Sequence, residues 1–147
     1  MTAGVLTAAW TLAVAGAMQD PFPAGDGKAQ LVKVCSGCHE PAIVLAHLQT
    51  PREWADTLQK MVDLGAEATP DEWRLIEQYI DATLALIPVN KAPADELRLT
   101  MDLTSDVAAA VVKYRQANGP FKSLDDVKKV AGIDAAKIDA RKDRFVF

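Results

Sequence analysis

Cysteine and histidine are scarce in this sequence, with two residues of each type among 147. An ordinary zinc site is excluded, because His47 lies too close to the cysteines to complete a C-x-x-C…H-x-x-x-H pattern. A thioredoxin-like pair needs a βαβ context, and no strand-rich run precedes the two cysteines. The role of the two cysteines must therefore be inferred from the residues next to them in the sequence.

Charged residues are absent from residues 1–19, where an apolar run extends from Val5 to Ala15. The run ends in Ala15-Gly16-Ala17, which fits the A-x-A pattern of a signal-peptidase site. We predict a signal peptide over residues 1–19, although the usual basic n-region is missing. An uncleaved membrane anchor is the alternative, but spanning a bilayer takes about 20 apolar residues. We therefore expect export and no stable membrane span after processing.

The composition, 50% hydrophobic and 24% charged, is that of an ordinary soluble globular protein. Its charge changes sign along the chain. Residues 20–88 carry five basic and eleven acidic side chains, whereas residues 89–147 carry eleven basic and nine acidic ones. With a length that suits one domain or two small ones, this change predicts two domains, 20–88 and 89–147.

The two cysteines lie in the pentapeptide Cys35-Ser36-Gly37-Cys38-His39. C-x-x-C-H is the attachment signature of a c-type haem. Two thiols three positions apart can each add to one vinyl group of the porphyrin, and the adjacent imidazole can then bind the iron. The motif predicts one covalent haem c on Cys35 and Cys38, with His39 as the proximal iron ligand and no disulfide. A chance pentapeptide is the alternative.

Helix signals surround this motif. We expect a first helix to open near Gly25-Asp26 and to run into Cys35. Thr50-Pro51-Arg52-Glu53 and Thr69-Pro70-Asp71-Glu72 are capping boxes with proline at the first helical position. Each is followed by an apolar stripe at helical spacing, formed by Trp54, Leu58, Met61 and Val62 in one helix and by Trp73, Ile76, Ile80 and Leu84 in the next.

From about Gly25 to Leu86 the sequence resembles the class I cytochrome c fold. More narrowly, it is similar to small cytochrome domains associated with quinohaemoprotein dehydrogenases. This resemblance is carried by the haem pentapeptide with Arg52-Glu53-Trp54, Lys60-Met61-Val62, Gly65-Ala66 and Tyr79-Ile80. It implies a small helical domain that carries single electrons and is not itself a catalyst.

The sixth ligand of the iron decides the redox behaviour, since a thioether raises the potential. Met61 is the leading candidate, because it lies on the apolar face of its predicted helix and at the position where the narrower resemblance carries a methionine. Met101 and His47 are the other candidates, and an open site remains an alternative. Met61 as ordinary core packing is the competing interpretation.

The second half carries a different resemblance. Val89 to Leu97, followed by Val111 to Val127 with its core Tyr114-Arg115…Asn118-Gly119-Pro120-Phe121-Lys122-Ser123, is similar to the tandem helix-hairpin-helix domain of bacterial competence DNA receptors. In this stretch Gly119 suits a helix C-cap and Pro120 forbids continuation. Ser123 then suits an N-cap, with Asp126 three positions on.

Such domains bind duplex DNA through hairpins whose paired glycines let backbone N–H groups approach phosphate. Here Asp102 and Thr104 replace the first pair of glycines. In the second pair Gly132 is kept, and Asp134 replaces the other glycine. These side chains would block the approach or repel phosphate, as would Asp106. A basic face remains available from Lys128, Lys129, Lys137, Arg141, Lys142 and Arg144. We expect DNA to be disfavoured and the module to dock a partner or to cover one haem edge.

The sequence thus predicts an all-α protein, a small cytochrome c-like domain followed by a tandem helix-hairpin-helix domain. The expected function is single-electron transfer in the bacterial periplasm or another extracytoplasmic compartment. The expected partners are redox proteins such as a quinoprotein dehydrogenase or a terminal oxidase. Three alternatives stay open: a haem-containing DNA-binding protein of an uptake apparatus, a haem-based small-ligand sensor, and a structural subunit of a larger redox complex.

Overall fold

A computed structural model describes residues 20–147, so the predicted signal peptide at 1–19 lies outside the described residues. The described chain is mostly helical, as expected. Its helices are α1 (Lys28–Cys35), α2 (Ile43–Ala46), α3 (Pro51–Asp63), α4 (Pro70–Thr83), α5 (Ala94–Thr100), α6 (Ser105–Asn118), α7 (Leu124–Lys128) and α8 (Ala135–Asp139). A 3-10 turn (Lys142–Arg144) and two short strands, β1 (Ile87–Pro88) and β2 (Phe145–Val146), complete it.

Both predicted capping boxes are present. The Thr50 backbone N–H donates to the Glu53 carboxylate at 2.8 Å, and the Thr69 backbone N–H donates to Glu72 at 2.8 Å. Glu72 also accepts from Lys33 of α1 at 2.7 Å. This contact with Lys33, together with the Thr69 cap, lowers the pKa of Glu72 to about 2. The start of α4 is therefore fixed to α1, the helix that leads into the haem pentapeptide.

The first core lies among α1, α2, α3 and α4. Its buried side chains are Phe22, Leu31, Val44, Trp54, Leu58, Ile76, Tyr79, Ile80, Leu84 and Ala85. The predicted stripe of α4 is largely buried, although Trp73 is only half-buried. The stripe of α3 is buried only at its start, because Met61 is half-buried and Val62 is 41% exposed. The apolar stripe therefore extends further along α3 than its burial does, because Val62 lies in the last turn of the helix.

The second core lies among α5, α6, α7 and α8. It comprises Ile87, Val89, Ala92, Leu97, Met101, Ala108, Val111, Phe121, Val127, Val130 and Ile138. The helix caps predicted for this region are confirmed. Gly119 is the C-cap of α6 and has a positive φ of 87°. The Ser123 hydroxyl caps α7 by accepting from the Asp126 N–H at 3.2 Å.

The junction of the two halves departs from the all-α expectation. β1 pairs in parallel with β2, with Ile87 opposite Phe145. The C-terminal segment thus returns to the connection between the two cores, and Ile87, placed in the first domain by the predicted boundary, packs in the second core. None of the helices within residues 20–147 is long and apolar enough to cross a membrane.

Candidate cofactor site

Two adjoining cavities open beside the haem pentapeptide, and together they are called the cleft here. Their volumes are about 360 and 120 Å³. Both are bordered by Cys35, His39, Leu58, Met61 and Leu64. The larger one adds residues of α2 and its surroundings, and the smaller one adds Cys38 and Trp73. The two cavities therefore share a wall that is formed by the end of α1 and by the face of α3 that carries Leu58 and Met61.

The pentapeptide continues the last turn of α1. The Cys38 and His39 N–H groups both donate to the Cys35 carbonyl at 3.3 Å, so the three side chains are presented by one tight turn. Cys35 is half-buried and Cys38 exposed, and both thiols are free. Burial raises the pKa of the Cys35 thiol. Both cysteines border the same small cavity, as attachment to one planar group requires.

The His39 imidazole is oriented by its own chain. Its Nδ1 lies 3.1 Å from the carbonyl oxygen of Glu40. A carbonyl oxygen only accepts, so this contact favours the tautomer that carries its proton on Nδ1, in which the lone pair is on Nε2. Metal-bound histidines commonly donate their second ring N–H in this way, which fixes both tautomer and orientation.

The structure places the candidate sixth ligands very differently. Met61 borders both cavities of the cleft, facing the same space as His39. His47 borders the larger cavity only. Met101 is fully buried in the second core beside Leu97 and Val111 and does not line the cleft. Of the three residues, Met61 and His47 therefore share the cleft with His39, and Met101 does not.

The chemistry of the cleft suits a haem better than a bare metal ion. Its walls are mostly apolar side chains, together with two thiols, one thioether and the imidazoles of His39 and His47. Within residues 20–147 no group of three or more His, Cys, Asp or Glu could hold a metal ion. The wall also includes Trp54, whose buried Nε1 has no hydrogen-bond acceptor among the described residues. A cofactor that carries carboxylates could supply one.

Part of this wall was not anticipated from the sequence. The short helix α2 contributes Ile43 and Val44, and α4 contributes Ile80. A four-residue helix has too little periodicity to be recognised in a sequence. The sequence signal that could have found this wall is the apolar run Ile43 to Leu45, which begins four residues after His39.

A second arrangement, the hairpin face, is formed by the turns before α6 and α8. Asp102, in the first turn, has a φ of 55°, the only positive φ of a non-glycine among the described residues. Thr104 caps α6 by accepting from the Val107 N–H at 3.4 Å, and Asp134 caps α8 by accepting from the Ala136 N–H at 2.9 Å. Both helix starts are therefore capped by the chain's own side chains.

Asp102 also joins the two hairpins. Its carboxylate lies 2.6 Å from Lys137 Nζ and 3.9 Å from Arg141, and the same Nζ donates to the Asp102 carbonyl at 3.2 Å. The Lys137 contact is the main reason that the pKa of Asp102 is lowered. Asp102 therefore offsets one positive charge, chiefly that of Lys137, while Arg141 lies at the edge of the same contact.

Comparison with known proteins supports the second resemblance. Residues 85–146 match the family profile of the helix-hairpin-helix motif. ComE operon protein 1 of Bacillus subtilis is 37% identical over 49 residues, which is 33% of this chain and 24% of that protein. Endonuclease/exonuclease/phosphatase family domain-containing protein 1 is 36% identical over 64 residues in Bos taurus, covering 40% of this chain and 11% of that protein. In Homo sapiens the same protein is 30% identical over 80 residues, covering 52% and 13%.

The second half of the chain therefore contains a helix-hairpin-helix domain. The chain spans only about a tenth to a quarter of the length of these relatives. No solved structure shows significant similarity to it.

Proposed function

We propose that this protein is an exported c-type haem protein that carries single electrons, with one covalent haem held in the cleft. The observation that carries the proposal is the convergence of Cys35, Cys38, His39 and Met61 on one mostly apolar cleft. When bound, a haem supplies a one-electron ferric/ferrous couple. The resemblance of residues 25–86 to class I cytochromes supports the same function.

Each residue has a defined task in this proposal. Cys35 and Cys38 would form the thioether attachments, and His39 would offer Nε2 to the iron while Glu40 holds the other ring nitrogen. Met61 would supply a thioether ligand, which favours a high potential. Leu58, with the other apolar walls, keeps water away and reduces the reorganisation that a charge change would cost.

A molecule of this kind exchanges electrons with other proteins and does not transform a substrate. Residues 20–88 have a strong excess of acidic side chains, so complementary basic surfaces would steer redox partners to this half. A quinoprotein dehydrogenase as donor or a terminal oxidase as acceptor fits this description. Covalent haem attachment places the protein in the periplasm or a comparable extracytoplasmic compartment.

A second candidate function is DNA binding within an uptake apparatus. It is favoured by the helix-hairpin-helix match and by the similarity to ComE operon protein 1. It is opposed by the caps at Thr104 and Asp134 and by the pairing of Lys137 with Asp102. Phosphate contacts supply essentially all non-specific affinity for DNA, so a hairpin face without them favours a docking role for this domain.

Two measurements separate these functions. The chain is produced in a host with c-type haem maturation, and intact mass with a reduced-minus-oxidised visible spectrum reports covalent haem. We expect one haem per chain in the wild type and none in C35A/C38A. An unmodified wild-type mass would contradict the electron-carrier proposal. A gel shift of duplex DNA at low salt reports the second function, and we expect no shift.

A further inference from the structure

The carboxylate of Asp81 lies one layer of side chains away from the cleft. Asp81 is half-buried in α4 and borders a separate cavity of about 80 Å³. Three other side chains of that small cavity, Trp54, Leu58 and Ile80, also line the cleft. These three side chains therefore form an apolar wall that the cleft shares with the cavity of Asp81.

The charged groups that act on Asp81 lie on three elements. Glu77 lies one turn earlier on α4, Glu96 on α5, and Arg144 in the 3-10 turn. The residues of α3 in the small cavity, Pro51, Trp54, Ala55 and Leu58, are not titratable. Within residues 20–147 the Asp81 carboxylate accepts no hydrogen bond and forms no ion pair shorter than 4.0 Å. The Arg144 guanidinium donates instead to main-chain carbonyls, among them that of Asp81 at 2.7 Å.

These surroundings favour the neutral carboxyl. Burial is the largest cause, Glu96 and Glu77 act in the same direction, and Arg144 opposes them; together they raise the pKa of Asp81 to about 6. A small additional negative charge nearby is then enough to change its protonation near neutral pH. Across a poorly polarisable layer such an interaction is stronger than in water.

Building on the proposed function, we infer that Asp81 is a proton-uptake site coupled to the electron carried in the cleft. A haem held in the cleft would supply a one-electron couple, and its electron would come from a donor protein. For each electron accepted, the Asp81 carboxylate takes one proton from solvent and becomes a neutral carboxyl group, so that the added negative charge is balanced. On oxidation the electron leaves to an acceptor protein and the proton returns to solvent.

The test is a potentiometric titration of the haem-loaded full chain between about pH 5 and 8, a range around the pKa of Asp81. We expect the midpoint potential to fall as the pH rises through about 6 and then to level off. A proton affinity up to roughly tenfold higher in the reduced protein corresponds to a total change of up to about 59 mV. Asp81→Asn should remove this dependence, since it keeps the shape of the side chain and cannot titrate.

Glu77→Gln is the matched control. It removes one neighbouring negative charge and leaves Asp81 in place, so the dependence should persist at a lower pH. A second readout is infrared difference spectroscopy near pH 6, where the wild type should gain a protonated carboxyl band on reduction and Asp81→Asn should not. A haem-loaded wild type with a pH-independent potential, or an Asp81→Asn protein with the wild-type dependence, would overturn this inference and leave the proposed function intact. A chain without haem would overturn both.

Discussion

The Arg144 side chain donates from Nε to the carbonyl oxygen of Ala85 at 2.6 Å, across 59 residues of sequence. Its two terminal nitrogens donate to the carbonyls of Ala82 and Asp81, each at 2.7 Å. These are carbonyls at the end of α4, which lack helical partners and carry the negative end of the helix dipole. A buried arginine of the helix-hairpin-helix domain thus donates hydrogen bonds to the C-terminal end of α4, a helix of the first core.

Replacing Arg144 should destabilise the whole molecule. Burial lowers the pKa of Arg144 only to about 10, so the guanidinium stays charged at neutral pH. We expect Arg144→Ala to lower the free energy of unfolding by about 2–4 kcal/mol, because buried carbonyls lose charge-assisted partners. Arg98→Ala, at an exposed position of α5, is the control and should change it by less than about 0.5 kcal/mol. Urea denaturation measures both, and equal effects of the two substitutions would exclude a special role for Arg144.

The distal ligand can be tested by substitution in the cleft. Met61→Ala should remove the thioether, so that the haem-loaded protein loses its methionine-to-iron charge-transfer band and its potential falls. His47 borders the same cleft, and His47→Ala should leave the band unchanged. An unaltered ferric spectrum in Met61→Ala would instead support His47 ligation or an open site, and the latter is what a ligand sensor requires.

The hairpin face should regain phosphate binding when its own caps are removed. The triple variant D102G/T104G/D134G frees both helix starts and releases Lys137, while glycine suits the positive φ at position 102. We expect duplex DNA binding that weakens steeply with salt, as phosphate contacts do. Adding K137A to this variant should reduce the affinity and the salt slope. Equal binding by the wild type and the triple variant would contradict the inhibitory role of these side chains.

Asp81 should also affect stability. Its pKa is about 6 in the folded chain against an ordinary value of 3.8, so the folded state binds the proton more tightly than the unfolded state. The stabilisation is fully present below about pH 4 and is lost as the pH rises through about 6. We expect Asp81→Asn to be more stable than the wild type at pH 7 by about 1 kcal/mol, after allowance for partial solvent screening. Thermal unfolding at pH 4 and pH 7 checks this, and a pH-independent difference would refute it.

Local signals were the most predictable part of the fold. The capping boxes at Thr50 and Thr69 mark the starts of α3 and α4, because the hydrogen bonds involved join residues three positions apart. The pentapeptide and the Gly119 to Asp126 stretch are equally local. The exposure of Val62 and the role of α2 could not be predicted in this way, since periodicity shows which side chains share a face and not where that face ends.

The starts of α3 and α4, the placement of the thiols beside His39, and the incomplete glycine pairs of both hairpins can be recognised in the sequence alone. Contacts between distant segments were needed to show that Met61 lines the cleft while Met101 belongs to the second core. The tertiary structure also brought Arg144 to the end of α4 and Asp81 to the wall behind the cleft. The reason is physical: capping and turn chemistry act over a few residues, whereas burial and charge at these four positions depend on contacts between segments far apart in the chain.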